Sequence, residues 1–532
     1  MLKILLMLTL VFVSSSLFAT TYIQVSNSQV TSTLKNELDK WVQPDEPGCS
    51  IAYGNKHGTH YYSKGLVAFG QKQELTQNTQ FLNASISKQF TAHAAIKLAQ
   101  QGKLNLKSDI RTILTEFNKK HPVSTEQLMN HTSGVADHWM LFELQGKSLE
   151  DHYSQSQAYA LATQSDYLEF TPGSQFHYSN GGYVVLAQLL EKITGKNLNK
   201  NINQLFLNDL DISASYLVDS IKDDVDYASG HINIKNNFKP LKYNSYIYGG
   251  GNLIISATGF SRWANYLLNE LQQNKYYIDA IKNAAMHNHY YAGLYVDTDD
   301  KGRKMIHHGG YYEHTSQSIV FLPESNEFAL ALCNRSDFRP ANITRNILRK
   351  LGSLSLSDDI QKVVANTKQQ VLTPGLYYSP SEKKSALIFQ EKGDIYYYGS
   401  GVGSPKKLFA TSPTGWHTKL SAKTVFVSAV DAKSVKVSDP QFSIVLQRIY
   451  LVSSPFKEVS KISIFHNELV GDIEFTFGNS PMINFIKSVG EIALQCTKEK
   501  ICFSEEGFVM VDAYDEKKLV VSTHDIQNLI FQ

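Results

Sequence analysis

The sequence predicts an α+β protein, an antiparallel sheet flanked by helices, followed by a separate all-β unit. Three observations predict it. Helical and strand patterns alternate from about residue 31 to 355, and short alternating runs split by turn residues take over beyond about 371. In addition, 29 tyrosines and 27 phenylalanines supply rings that pack well on half-buried pleated surfaces. At 532 residues the chain is too long for one ordinary domain, and 42% apolar with 19% charged residues is a globular balance.

The elements follow in order. Residues 1–19 read as a secretory signal peptide: Lys3, an apolar run from Ile4 to Val13, then mostly small residues to Ala19. The run is shorter than the roughly 20 residues a membrane span needs. Leu17 suits the cleavage site poorly, which leaves an uncleaved anchor open, and no cysteine follows for a lipid anchor. The expectation is an exported protein, periplasmic or secreted, with no stable membrane insertion after signal cleavage.

GCSIAYG (48–54) and THYYSKGLVAFG (59–70) read as a hairpin. An amphipathic helix follows Ser85 and stops at Gly102; another begins after Asn180 and ends at Gly195. KMIHH (304–308), SIVFL (318–322) and EFALALC (327–333) read as three successive strands. The α+β unit is therefore placed at 20–355, and a polar linker at 356–370. The all-β unit, 371–532, contains runs such as TVFVSAV, KISIFHN and GDIEFTFG.

Charge excludes one class of function. With 51 basic and 49 acidic residues, a net +2 and no dense basic stripe, nucleic acid is not an expected partner. A small-molecule or peptide substrate is expected instead; oligomeric state is not legible. Of the four cysteines, Cys49 and Cys333 sit in apolar strand-like runs and read as small core residues. Cys496 and Cys502 flank TKEKI, a predicted turn, where a cross-strand bridge and two free thiols both fit. No cysteine–histidine cluster has metal-site spacing, and neither metal nor cofactor is expected.

The chemistry starts at Ser85-Ile86-Ser87-Lys88, at the head of the first long helix. Residues three apart share a helical face, so a hydroxyl and an amine can meet there, and a hydroxyl needs a base to become a nucleophile. Alone, Ser-x-x-Lys equally describes a helix-capping serine beside a solvated lysine. Tyr178-Ser179-Asn180 adds a phenol, whose ionised form a neighbouring ammonium would favour, and an amide able to hold a carbonyl or position Lys88. His307-His308-Gly309-Gly310 closes a strand with a ring and two glycines, which would let a substrate approach its edge.

In that order, Ser-x-x-Lys, Tyr-x-Asn and His-x-Gly resemble the class C β-lactamase, penicillin-binding protein and serine esterase superfamily. FLNASISKQFTA, LMNHTSGVADH, FTPGSQFHYSNGGYVVLAQLLEKITGK and GGGNLIISATGFSRW are also similar to its landmarks, over roughly residues 35–350. The resemblance implies a β-lactamase/transpeptidase-like fold and a serine hydrolase with Ser85 as nucleophile. Lys88 and Tyr178 would share the work of base and acid, and Asn180, Gly309 and Gly310 would line the substrate site. The backbone N–H groups of Ser85 and Tyr311 would hold the oxyanion.

His308 is taken as the first residue of the third motif because Pro323 lies about fifteen residues beyond it, as in the family; His307 is the alternate. A histidine there resembles the esterase and peptidase branches. Substrates left open are an ester, a D-amino-acid peptide and a β-lactam, and a silent receptor for peptidoglycan fragments is the other reading. Glu313 reads as a solvated loop acid, His131 as a loop pin, and Trp139 and Phe142 as cleft wall or core. The C-terminal unit loosely resembles lipocalin-like or barrel extensions.

Overall fold

The computed structural model describes residues 26–148, 151–221, 226–235, 237–241, 244–283, 289–312 and 314–355. It also describes strand segments between Gly375 and Phe531, with Leu372 and Leu408. The predicted leader, Glu313 and all of the predicted linker lie outside these residues.

The main sheet has seven strands, all antiparallel. In chain order they are β1 (Cys49–Asn55), β2 (Gly58–Lys64), β3 (Tyr290–Tyr291), β4 (Leu294–Thr298), β5 (Lys304–Tyr312), β6 (Thr315–Leu322) and β7 (Glu327–Cys333). Their spatial order is β3-β4-β5-β6-β7-β1-β2. The chain thus returns at its far end to lay β7 against β1.

Strands β6 and β7 are buried at every position, because helices cover both faces. Alternation assigns their side chains. Ile319, Phe321, Phe328, Leu330 and Leu332 join the core shared with α2 (Lys88–Gln100) and α4 (Ala257–Gln273). Val320, Leu322, Ala329 and Ala331 face α1 (Asn27–Leu38) and α5 (Pro340–Lys350) on the other side.

This return also corrects the reading of Cys49 and Cys333 as unpaired core residues. They are cross-strand partners on β1 and β7, Cα atoms 4.1 Å apart, and form a disulfide. Cys502 is disulfide-bonded as well, and the register of its strand sets Cys496 opposite it.

The helix after Ser85 departs from expectation in two ways. It opens with a 3₁₀ turn, Ser85–Ser87, before α2 begins at Lys88. Nor is it amphipathic: every residue from Lys88 to Ile96 is buried, so α2 runs through the centre of the unit rather than along its surface. The helix α3 (Asn180–Thr194) ends at Gly195, which takes a left-handed φ of 67° that other residues adopt at a cost.

From Gly375 onward the described elements are all strands, forming a nine-stranded and an eight-stranded antiparallel sheet. Among the described residues no helix is long and apolar enough to cross a membrane.

Candidate active site

The strand Gln80–Asn83 delivers the chain to Ser85, and both flanks of the following turn are pinned. The Ala84 N–H donates to the Gln317 side-chain oxygen of β6 at 3.1 Å. The Ser87 hydroxyl donates to the Asn83 carbonyl at 3.0 Å and accepts from the Leu253 N–H at 3.2 Å. Three residues on, Lys88 lies on the same side of the turn as Ser85.

Lys88 has no solvent exposure. Its Nζ donates to Ser85 Oγ at 3.2 Å, to Asn180 Oδ1 at 2.6 Å and to the Gly250 carbonyl at 2.7 Å. A solvated lysine is therefore excluded. Burial pulls its pKa down to about 7, against the opposing pull of the Asp137 carboxylate.

Asp137 is the site residue that sequence reasoning missed. Its Oδ2 accepts from both the backbone N–H and the Nδ2 of Asn180, each at 2.7 Å. Its Oδ1 caps the short helix His138–Leu144 through the Trp139 N–H. The available signal was Asp137 in GVADH, where it reads as an ordinary N-cap.

Tyr178 lies on a loop tied down by His131, whose Nδ1 accepts from the Ser179 N–H at 3.0 Å. The phenol ring packs against His131, tilted by 34° with centroids 4.1 Å apart, and its centroid lies 4.8 Å from Lys88 Nζ. Its hydroxyl is buried and interacts with the Ser85 hydroxyl. The pKa of this group corrects an expectation. Burial pushes the phenol well above its ordinary value, and a hydrogen bond with the Ser85 hydroxyl offsets only part of that. Tyr178 keeps its proton.

On β5 the two histidines part company, because successive strand residues face opposite ways. The His308 ring turns towards Tyr178, 6.2 Å away, and its Nε2 shares a 3.1 Å hydrogen bond with the Tyr290 hydroxyl. Burial lowers its pKa to about 3, so the ring is neutral at physiological pH. His307 instead pairs with Asp297 at 2.8 Å and stacks on Tyr295.

The glycines also differ. A Cβ on Gly310 would come within 2.3 Å of the Gln317 side-chain oxygen, the same atom that holds Ala84. Gly310 is thus closely packed beside the nucleophile turn, where a larger residue would displace Gln317. Gly309 is exposed, with only the Gln317 carbonyl near its missing Cβ, at 3.7 Å.

A cavity of about 520 Å³ opens on Ser85. Asn180, Trp139, Tyr311 and Tyr312 line it, with His138 and Ile247 deeper along its walls. Tyr311 is 63% exposed, so its ring stands at the mouth. Phe142 is buried in the core behind Trp139. No cluster of His, Cys, Asp and Glu among the described residues could hold a metal ion.

The sequence profile of the Beta-lactamase family matches residues 34–353, more than half of the chain. The chain belongs to the beta-lactamase family. Within that family it is 23% identical over 349 residues to Protein flp of Staphylococcus aureus strain MRSA252, covering 59% of this chain and 64% of that one. This chain therefore spans under two thirds of that relative's length. A D-aminopeptidase of Brucella anthropi is 33% identical over 135 residues, a quarter of each chain. Among solved structures, the octameric penicillin-binding protein homologue from Pyrococcus abyssi superposes with a TM-score of 0.56 at 18% identity. That match covers 79% of this chain and all of that one. It shows a shared β-lactamase/transpeptidase-like fold.

Proposed function

We propose that this beta-lactamase family member is a serine hydrolase acting on an ester or amide through an acyl-enzyme on Ser85. The observation that carries the reading is the three-way setting of Lys88. A neutral amine has two N–H donors and one lone pair. With the two donors engaged by Asn180 Oδ1 and the Gly250 carbonyl, the lone pair faces Ser85 Oγ. A pKa of about 7 makes that neutral form available at working pH.

In this reading Lys88 takes the Ser85 proton as Oγ bonds to the substrate carbonyl carbon. The oxyanion rests between the backbone N–H groups of Ser85 and Tyr311. Tyr178, which holds its proton, donates it to the departing oxygen or nitrogen and is reprotonated from Lys88. The same pair then activates the water that releases the acyl group. Neutral His308 offers no positive charge to a substrate carboxylate. That favours esters and peptides without a carboxylate at that position over β-lactams.

The export, periplasmic or secreted location and small-molecule or peptide substrate belong to the same reading, as does a lipocalin-like or barrel form for the C-terminal sheets.

A fluorophosphonate probe tests the central claim. The wild type should be labelled on Ser85, Ser85→Ala should not, and Tyr178→Phe should label at least about 10²-fold more slowly. An unlabelled wild type, together with tight binding of muropeptides, would support the silent-receptor reading instead.

A further inference from the structure

We infer that Asp137 is a positioning residue for the reaction: by accepting both donors of Asn180 it fixes which end of that amide faces Lys88. The inference rests on the Ser85–Lys88 reading above and adds a residue to it.

The argument begins with the symmetry of an amide. The oxygen and NH₂ ends of an asparagine side chain are nearly equal in size, so packing alone chooses poorly between its two orientations. Here the choice matters. With Oδ1 towards Lys88, the amide accepts a hydrogen from Nζ and orients the amine. Flipped, it would present an N–H to Nζ, compete with Ser85 for the amine's lone pair and repel the ammonium.

A neutral Lys88 does not prevent the flip, because its lone pair can accept from the turned N–H. Asp137 does. Its Oδ2 accepts from the Asn180 N–H and Nδ2 at 2.7 Å each, so a flipped amide would set a carbonyl oxygen against a carboxylate. The carboxylate is held in turn by capping the helix that begins at His138. Backbone capping, amide orientation and amine orientation therefore form one chain of hydrogen bonds.

The same chain carries charge. One bridging amide separates the Asp137 carboxylate from the Lys88 nitrogen, close enough to couple in a partly desolvated setting. Asp137 acts to raise the Lys88 pKa against burial. Without it, Lys88 would lose its proton at lower pH and would also lose its fixed partner.

Two variants separate these effects. Asp137→Ser keeps a helix-capping hydroxyl but removes the charge and the anchor for Asn180. Asp137→Asn keeps the shape and one carbonyl oxygen able to accept from Asn180. In full-length protein, fluorophosphonate labelling measured from pH 5.5 to 9 should show an acid limb whose midpoint moves down by about one pH unit in both. The plateau rate should fall about tenfold or more in Asp137→Ser and less in Asp137→Asn.

A purely structural role would lower the plateau and leave the midpoint in place. A titration of ¹³Cε-lysine by NMR, with Lys88→Met to assign the resonance, reads the same midpoint without requiring turnover. A shifted resonance in a protein that the probe does not label would uphold the positioning role and reject the hydrolase. An unshifted midpoint in both variants overturns the inference whatever the labelling shows.

Discussion

Replacing Lys88 by methionine should change how stability depends on pH, and the structure sets the size of the effect. In the unfolded chain this amine titrates near 10.5, whereas burial brings it to about 7 in the folded protein. Between those values the unfolded state holds a proton that the folded state lacks, so wild-type stability rises with pH across the window. The full penalty for burying the charge is present below about 7 and is relieved as pH approaches the unfolded value. From pH 7 to pH 9 the gain from this one group is about 2 kcal/mol, since the slope approaches 1.4 kcal/mol per pH unit once the folded-state amine is neutral.

Methionine fills similar space, carries no proton and leaves Asn180 and the Gly250 carbonyl short of a donor, so its absolute stability is not the readout. The readout is the difference between the two proteins. Urea unfolding followed by tryptophan fluorescence at pH 7, 8 and 9 should show wild type gaining about 2 kcal/mol relative to Lys88→Met. A difference that stays flat across those three points would mean that Lys88 is fully charged when folded, and it would remove the proposed base.

Three further outcomes follow from the same geometry. Fluorophosphonate labelling of the wild type should rise through a midpoint near pH 7 and level off above it, because neutral Lys88 is the active form; a rate flat from pH 5.5 to 9 contradicts this. Opening the Cys49–Cys333 disulfide, by Cys49→Ser with Cys333→Ser, should lower stability by up to about 5 kcal/mol, since it closes a loop of 284 residues; thermal unfolding checks it. Gly310→Ala should displace Gln317 and loosen the hold on Ala84, slowing labelling about tenfold while circular dichroism stays unchanged.

Much of the main fold was legible because its signals are local. The strand runs 304–308, 318–322 and 327–333 declared themselves by apolar content between turn residues, and Gly195 ended α3 where expected. The disulfide was not legible for the opposite reason. Cys49 and Cys333 are paired only because β7 is laid beside β1 after the chain has built everything between. Their apolar surroundings, read alone, gave the smaller answer. The burial of α2 was hidden likewise: Gln89, Thr91 and His93 are polar, yet each is wholly buried with a hydrogen-bond partner. His93 bonds to the Tyr277 and Tyr266 hydroxyls, Thr91 to Tyr216, and Gln89 to the Trp263 indole.

At the site, spacing revealed which residues meet but not their protonation. An ammonium beside a phenol suggests an ion pair, and in water that inference would be sound. In this crevice Lys88, Tyr178, His131 and His308 are all buried within one another's reach, and desolvation acts on every one of them before any pairwise attraction does. The outcome is ranked by what each neutral form loses. Both histidines stay neutral, and Tyr178 keeps its proton with only a hydroxyl nearby to oppose burial. Lys88 starts from a high ordinary value, and burial lowers it while the Asp137 carboxylate, reaching it through Asn180, raises it, so this amine stays poised between charged and neutral near physiological pH. That balance involves an acid two residues before a tryptophan, which no pattern of serine, lysine and tyrosine spacing could disclose.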